Sequence, residues 1–120
     1  MREIRFRAWN KVKKIMITDV INNCINSFET VLKHSQIYEV TQYIGLKDNE
    51  YVEIYDEDII EFFEVNRFVR GEVEWLQEDC RFVVRVADEY GQHYTELYGD
   101  ENFDCTVIGN MYENKDLLED

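Results

Sequence analysis

The sequence contains no proline, and among its 120 residues it has only 5 glycines and 3 cysteines. Without proline, the turns must be built from glycine, asparagine, aspartate and charged residues. Cys24, Cys80 and Cys105 lack C-x-x-C spacing, so we interpret them as reduced core residues of a cytosolic protein. A chain of this length can bury a sufficient core without a disulfide, so we expect it to need no metal or other cofactor.

Long apolar runs and nucleophile motifs are missing too. No segment approaches the ~18 residues of a membrane span and no signal peptide opens the chain, which predicts a cytoplasmic location. The only serines, Ser27 and Ser35, lie outside any Gly-x-Ser-x-Gly elbow, and only His34 and His93 supply imidazoles. We therefore predict that the protein is not an enzyme. A hydrolase is the alternative, and it would need a pocket that gathers His93, a cysteine and a carboxylate.

Acidic residues outnumber basic ones by 26 to 13, and the imbalance is uneven along the chain. Residues 1–14 hold 6 basic residues and 1 acidic residue, a net charge of +5, which leaves 7 basic and 25 acidic residues, a net −18, in residues 15–120. Such a field repels nucleic acid and attracts a basic partner or the basic end of another copy. It also keeps a protein soluble without any specific partner.

The run Asp56-Glu57-Asp58 suggests a cation site, because adjacent carboxylates suit hard cations. The spacing does not follow the EF-hand pattern, and neighbouring residues on a strand point to opposite faces. We predict a solvated turn here and no metal site.

The apolar pattern predicts a mainly β, β-rich α+β fold. Residues 4–9 alternate with period two, and residues 12–17 can return as a second strand of a hairpin after a turn at Asn10. Residues 19–33 carry apolar side chains at helical spacing but are rich in asparagine and β-branched residues, so the pattern predicts a helix and leaves a strand open. Residues 36–44 form a further predicted strand.

Five short strand patterns with turn signals between them follow residue 53; they are residues 59–65, 72–76, 80–86, 93–98 and 105–112. This spacing predicts an SH3-like small β-barrel over residues 51–120, after a β-rich N-terminal region over residues 1–50. We expect the two regions to form one compact unit. Asn114 is placed to cap a final helical turn that carries Leu117 and Leu118.

Three sets of motifs resemble the YopX-like family of bacteriophage and prophage proteins. They are Arg7-Ala8-Trp9 at the start, Gln42-Tyr43, Gly45-Leu46-Lys47-Asp48, Glu53-Ile54-Tyr55 and Asp58-Ile59 at the centre, and residues 107–118 at the end. The resemblance implies a phage-borne protein with a β-rich N-terminal part and an SH3-like C-terminal barrel. The family has no well-defined activity, so the resemblance implies a setting more than a mechanism.

The chain departs from the family pattern at a few positions. Asn10 replaces an aspartate, Glu50-Tyr51 replaces an Asn-Gly pair, Glu57 replaces a glycine, and Lys115 replaces a proline. Asn-Gly adopts positive φ at little cost, so its loss predicts a wider or shifted loop between residues 48 and 53.

Arg5, Arg7 and Trp9 form a speculative interaction face, because a strand would place all three opposite Ile4 and Phe6. In one interpretation Trp9 packs onto the barrel and the arginines pair with the acidic body. In a second, the basic face meets the acidic barrel of another copy, since arginine and tryptophan favour interfaces. In a third, it binds nucleic acid, which the net charge of −13 disfavours.

These observations predict a non-enzymatic phage or prophage accessory protein, a binding or assembly module that self-associates into a homo-oligomer in the bacterial cytoplasm. One alternative is an acidic decoy that imitates nucleic acid and binds a host nucleic-acid-binding protein. Direct DNA or RNA binding through the basic N-terminus is a further alternative.

Overall fold

A computed structural model describes residues 4–18, 20, 31–64, 66–88, 91–97 and 104–118. The chain divides into two compact units, Met1–Gly45 and Leu46–Asp120, here called unit 1 and unit 2. Strands dominate the described residues, as the sequence predicts.

Unit 1 contains an antiparallel sheet in the order β2-β1-β3. Its strands are β1 (Phe6–Asn10), β2 (Ile15–Ile17) and β3 (Tyr38–Lys47), the last of which runs beyond the unit boundary. The predicted N-terminal hairpin is confirmed as β1 and β2. The predicted strand 36–44 is confirmed as β3, but it continues past Gly45, whose φ of 95° is a conformation that favours glycine.

The predicted helix 19–33 lies partly outside the described residues, because residue 19 and residues 21–30 are not among them. Val20 and residues 31–33 are helical. Val20 and Val31 are buried with Ala8 of β1, and the half-buried residues Ile17, Tyr38 and Val40 pack against this cluster. The apolar spacing that predicts a helix therefore corresponds, in its described part, to side chains that cover the sheet.

Asn10 fixes the turn that joins β1 to β2. Its Oδ1 accepts hydrogen bonds from the backbone N–H groups of Val12 and Lys13, both at 3.0 Å. Its carbonyl oxygen accepts a third from the N–H of Lys14 at 2.8 Å. An aspartate could supply the same acceptor, so the asparagine at this position preserves the turn.

Unit 2 contains a five-stranded antiparallel sheet in the order β8-β7-β6-β5-β9. The strands of unit 2 are β4 (Glu53–Tyr55), β5 (Asp58–Glu64), β6 (Arg67–Leu76), β7 (Arg81–Asp88), β8 (Gly91–Glu96) and β9 (Cys105–Asn110). Strands β5 to β9 correspond to the five predicted barrel strands. Strand β6 begins at Arg67, within a segment predicted to be a link, and a bulge interrupts β5 between Ile59 and Ile60.

The sheet of unit 2 is curled into a half-barrel. Fully buried side chains of the strands form its core; they are Ile59, Ile60, Val73, Val83, Val84, Val86 and Cys105. Side chains on β5 and β8 come into contact although β6 and β7 lie between these strands in the sheet order. A flat sheet would hold those two strands about 14 Å apart, so this contact requires the curl.

The loop between residues 48 and 52 is organised by Asp48, which is buried. Its Oδ1 accepts hydrogen bonds from the N–H groups of Glu50 at 2.8 Å and Val52 at 2.9 Å. Its Oδ2 accepts one from the N–H of Val107 in β9 at 2.9 Å. Tyr51 adopts a φ of 65° at the position where the Asn-Gly pair would end. The loop therefore keeps a positive φ without glycine.

The closing motif, residues 107–118, is a network of local hydrogen bonds. Asn110 Oδ1 accepts from the N–H groups of Tyr112 and Glu113, and Asn114 Oδ1 accepts from the N–H of Asn110. A Cβ on Gly109 would lie 2.5 Å from that same Oδ1, so only glycine fits there. The predicted final turn is confirmed as a 3-10 helix, Lys115–Leu118, which begins after Asn114.

Candidate binding surface on the half-barrel

The proposed N-terminal interaction face is largely covered in unit 1. Arg7 is 8% exposed and Trp9 is 9% exposed, whereas Arg5 is half-buried. Arg7 Nε donates a hydrogen bond of 3.1 Å to Oγ1 of Thr41, which lies opposite it on β3. The structure therefore gives Arg7 an internal partner. A contact of these three residues with a second molecule stays a prediction.

The acidic run at residues 56–58 forms the turn between β4 and β5. Asp58 is 1% exposed, and its Oδ2 accepts a hydrogen bond from the N–H of Tyr55 at 2.8 Å. Glu57 has a φ of 73°, its N–H donates to the carbonyl of Val73, and its carbonyl accepts from the N–H of Met111. The run is thus a turn, but Asp58 is buried, which corrects the prediction that the turn is fully solvated. Within the described ranges, no three acidic, histidine or cysteine side chains are grouped as metal ligands.

The described cysteines are in different environments. Cys105 is buried, and this burial, with the charges of Asp48 and Asp104, raises the pKa of its thiol to about 11. It is therefore a protonated core residue at neutral pH. Cys80 is exposed in the turn before β7, with a φ of 52°, so its prediction as a core residue is wrong. The period-two pattern puts Cys80 on the same face as Phe82, but β7 begins at Arg81, so Cys80 precedes the strand. Cys24 lies outside the described residues.

Glu64, at the end of β5, contacts two residues of β8. Its Oε2 lies 2.9 Å from Nε2 of His93, and its Oε1 accepts a hydrogen bond of 2.7 Å from Oγ1 of Thr95. Burial acts to raise the pKa of Glu64, but these hydrogen bonds, with the charges of His93 and Arg67, outweigh it and leave the pKa below its ordinary value of 4.5. The hydrolase alternative needs His93 beside both a carboxylate and a cysteine. The structure places His93 beside the carboxylate of Glu64, and among the described residues no contact joins His93 to a cysteine.

Arg85 of β7 lies between two carboxylates of β6. Its Nη2 is 2.6 Å from Oε1 of Glu72, and its Nε is 3.1 Å from Oε2 of Glu74. The hydrogen bond that Arg85 donates to the Glu72 carboxylate is the main reason that the pKa of the Arg85 guanidinium is raised. Arg85 also lines a pocket of about 230 Å³; the other lining residues are Ala87, Met111, Lys115 and Leu118. The pocket lining therefore combines two basic residues, Arg85 and Lys115, with apolar side chains.

The strand register places a set of side chains from β5, β6, β7 and β8 on one face of the sheet, here called the outer face. It carries Phe63, Phe68, Arg70, Glu72, Glu74, Arg85 and Tyr94. Arg70 pairs with Glu61 on this face at 3.2 Å, and its Nη1 donates to the carbonyl of Leu117 in the 3-10 helix. The 3-10 helix therefore covers the outer face of β6 near Arg70.

The most exposed aromatic residues of this face are Phe63 and Phe68, at the end of the β5–β6 hairpin. They are 58% and 71% exposed and form an edge-to-face pair with ring centroids 5.2 Å apart. The sequence analysis did not propose either residue as part of a site. It placed Phe68 between two predicted strands, where no face can be assigned. Adjacent Phe62 and Phe63 on a strand must point to opposite faces, and this signal could have revealed one of them.

Comparisons with known proteins bear on identity. A sequence model of the YopX protein family matches residues 5–119. The crystal structure of protein EF1440 from Enterococcus faecalis is similar, with a TM-score of 0.66 and 23% sequence identity over 99% of this chain and 100% of that one. At this identity the likeness shows a shared fold.

A search of curated proteins found no match. Within the described parts of the chain, no helix has the length and apolarity that crossing a bilayer requires. The family match extends over nearly all of the sequence and includes both of its ends and its centre. This chain therefore belongs to the YopX protein family.

Proposed function

We propose that this protein is a non-enzymatic binding or assembly module, encoded by a phage or prophage and acting in the cytoplasm of the bacterial host. The observation that carries the proposal is the exposed pair Phe63–Phe68. Phenylalanine is usually buried, and two adjacent rings that remain more than half exposed are typical of a surface that a protein partner covers. The pair is the anchor of the proposed contact.

The proposal is tested by affinity capture from host lysate after prophage induction. We expect a partner retained by the wild-type protein to be lost with the double variant Phe63→Ser/Phe68→Ser. Tyr51→Ser is the matched control, because Tyr51 is an aromatic residue of the same unit that is 83% exposed and lies in another loop. An unchanged set of captured proteins with the double variant would contradict the role of the pair.

The proposal includes self-association. The contrast between the net charge of +5 in residues 1–14 and −18 in residues 15–120 supports an attraction between copies. The burial of Arg7 weakens a purely electrostatic contact through the basic end, so another surface has to supply the contact. Light scattering coupled to size-exclusion chromatography measures the mass directly, and a monomer at every protein and salt concentration would contradict self-association.

A second candidate function, the acidic decoy, rests on the net −18 of residues 15–120. A host nucleic-acid-binding protein would then be captured at low salt and released at high salt, because ion pairing of this kind is screened. Capture through Phe63 and Phe68 would instead persist at high salt. If no nucleic-acid-binding protein is retained even at low salt, the decoy is wrong.

A further inference from the structure

The five-stranded sheet of unit 2 has two edge strands, β9 and β8, and among the described residues a loop covers the edge of β9. The N–H of Asn49 donates to the carbonyl of Cys105 at 3.0 Å, and the N–H of Val107 donates to Asp48 Oδ2 at 2.9 Å. The loop that begins at Asp48 therefore occupies the edge of β9 that is opposite β5. An edge protected in this way is not available for pairing with another strand.

Strand β8 has no comparable cover within the described parts of the chain. Its described strand partner is β7, with an unbroken antiparallel register from Val83–Glu96 to Asp88–Gly91. No backbone hydrogen bond beyond that ladder involves β8 among the described residues. In an antiparallel ladder alternate residues direct their N–H and C=O groups outward, so β8 offers a row of them.

The composition of β8 does nothing to prevent pairing. It contains no proline, lysine or arginine, and its register has no bulge, although these are the devices that usually protect an edge. Five of its six residues are exposed, all except Thr95. Its one carboxylate, Glu96, is already paired with Arg81 at 2.8 Å. On a molecule of net charge −13, β8 is therefore an edge of low charge.

We propose that β8 pairs with β8 of a second copy, antiparallel about a two-fold axis at Tyr94, to form a continuous ten-stranded sheet. This inference rests on the proposed self-association and names its surface. The axis places Tyr94 opposite Tyr94 of the second copy, and Gln92 opposite Glu96 of the second copy. The arrangement buries two half-exposed tyrosines against each other and opposes no like charges. A cationic peptide would find no such match on β8, because Arg81 already balances Glu96.

A charge-swap experiment tests the position of the axis. The wild-type protein should run as a dimer of about 29 kDa, twice the chain mass of 14.5 kDa, in light scattering at moderate salt. Tyr94→Lys and Tyr94→Glu each place like charges opposite one another and should raise the dimer Kd at least about tenfold. An equimolar mixture of the two variants should restore the dimer. Tyr51→Lys is the control and should stay dimeric, because Tyr51 is an exposed tyrosine in the loop that begins at Asp48 and lies outside β8.

The outcomes separate this inference from the proposed function. If both Tyr94 variants dimerise like the wild type, β8 is not the interface, although self-association stands. If both are monomeric and their mixture stays monomeric, Tyr94 does not lie at the axis. If the wild type is itself a monomer, self-association and the β8 interface both fall, and capture through Phe63 and Phe68 is still tested separately. Circular dichroism establishes that each variant is folded.

Discussion

At the scale of single residues, two of the positions where this chain differs from its family pattern carry backbone strain. Tyr51 and Glu57 have φ values of 65° and 73°, and both stand where the family pattern has glycine. Residues with a Cβ adopt this region at a cost of about 1–2 kcal/mol, which glycine avoids. The hydrogen bonds of Asp48 and Asp58 hold the two turns nonetheless.

Tyr51→Gly should therefore stabilise the protein. The substitution removes the strain but increases the conformational entropy of the unfolded chain. Because the side chain is 83% exposed and little packing is lost, we expect the free energy of unfolding to rise by about 0.5–1 kcal/mol. Thermal unfolding followed by circular dichroism measures it. Glu50→Gly is the matched control, since Glu50 is exposed in the same turn and is not at positive φ, so that change should destabilise the protein. Equal effects at the two positions would contradict the explanation.

At the scale of elements, the contact between Glu64 and β8 closes the curl of the half-barrel. His93 is 29 residues away in sequence and Thr95 is 31, and both belong to the strand at the far edge of the sheet. Because the Glu64 pKa is lowered in the folded state, ionised Glu64 stabilises the fold. That stabilisation is fully present above the ordinary value of 4.5 and is lost as the pH falls through the lower folded value.

Glu64→Gln should lower stability in a pH-dependent way. We expect a loss of about 1 kcal/mol at neutral pH, since the charged acceptor is replaced by an amide, and a shrinking difference from the wild type as the pH falls below about 4.5. Urea unfolding between pH 3 and 7 would show it. Glu78→Gln, at an exposed turn position, is the control. A difference that does not change with pH would mean that the carboxylate charge has no part in closing the sheet.

At the scale of the whole molecule, the net charge of −13 opposes the compact state through self-repulsion. Several ion pairs relieve it locally, such as Arg85 with Glu72 and Arg70 with Glu61, but 13 basic residues cannot neutralise 26 acidic ones. Exposed ion pairs contribute little individually, so the repulsion is expected to dominate the response to salt.

We therefore expect the melting temperature to rise when NaCl increases from about 10 to 300 mM, by on the order of a few degrees. Differential scanning fluorimetry at low protein concentration would measure it, and choline chloride at equal ionic strength would separate screening from specific sodium binding. A melting temperature that falls with salt would show that the ion pairs outweigh the repulsion.

The sequence by itself determined the strand-rich fold, the five strands of the half-barrel, the acidic charge and the family. These follow from local pattern, because period two and turn residues act over a few positions. Only the tertiary structure decided which faces are covered. It buried Arg7 and Trp9 and left Phe63 and Phe68 exposed. Periodicity tells which residues share a face, but the covering of a face depends on contacts between distant strands, and these exist only once the sheet has curled.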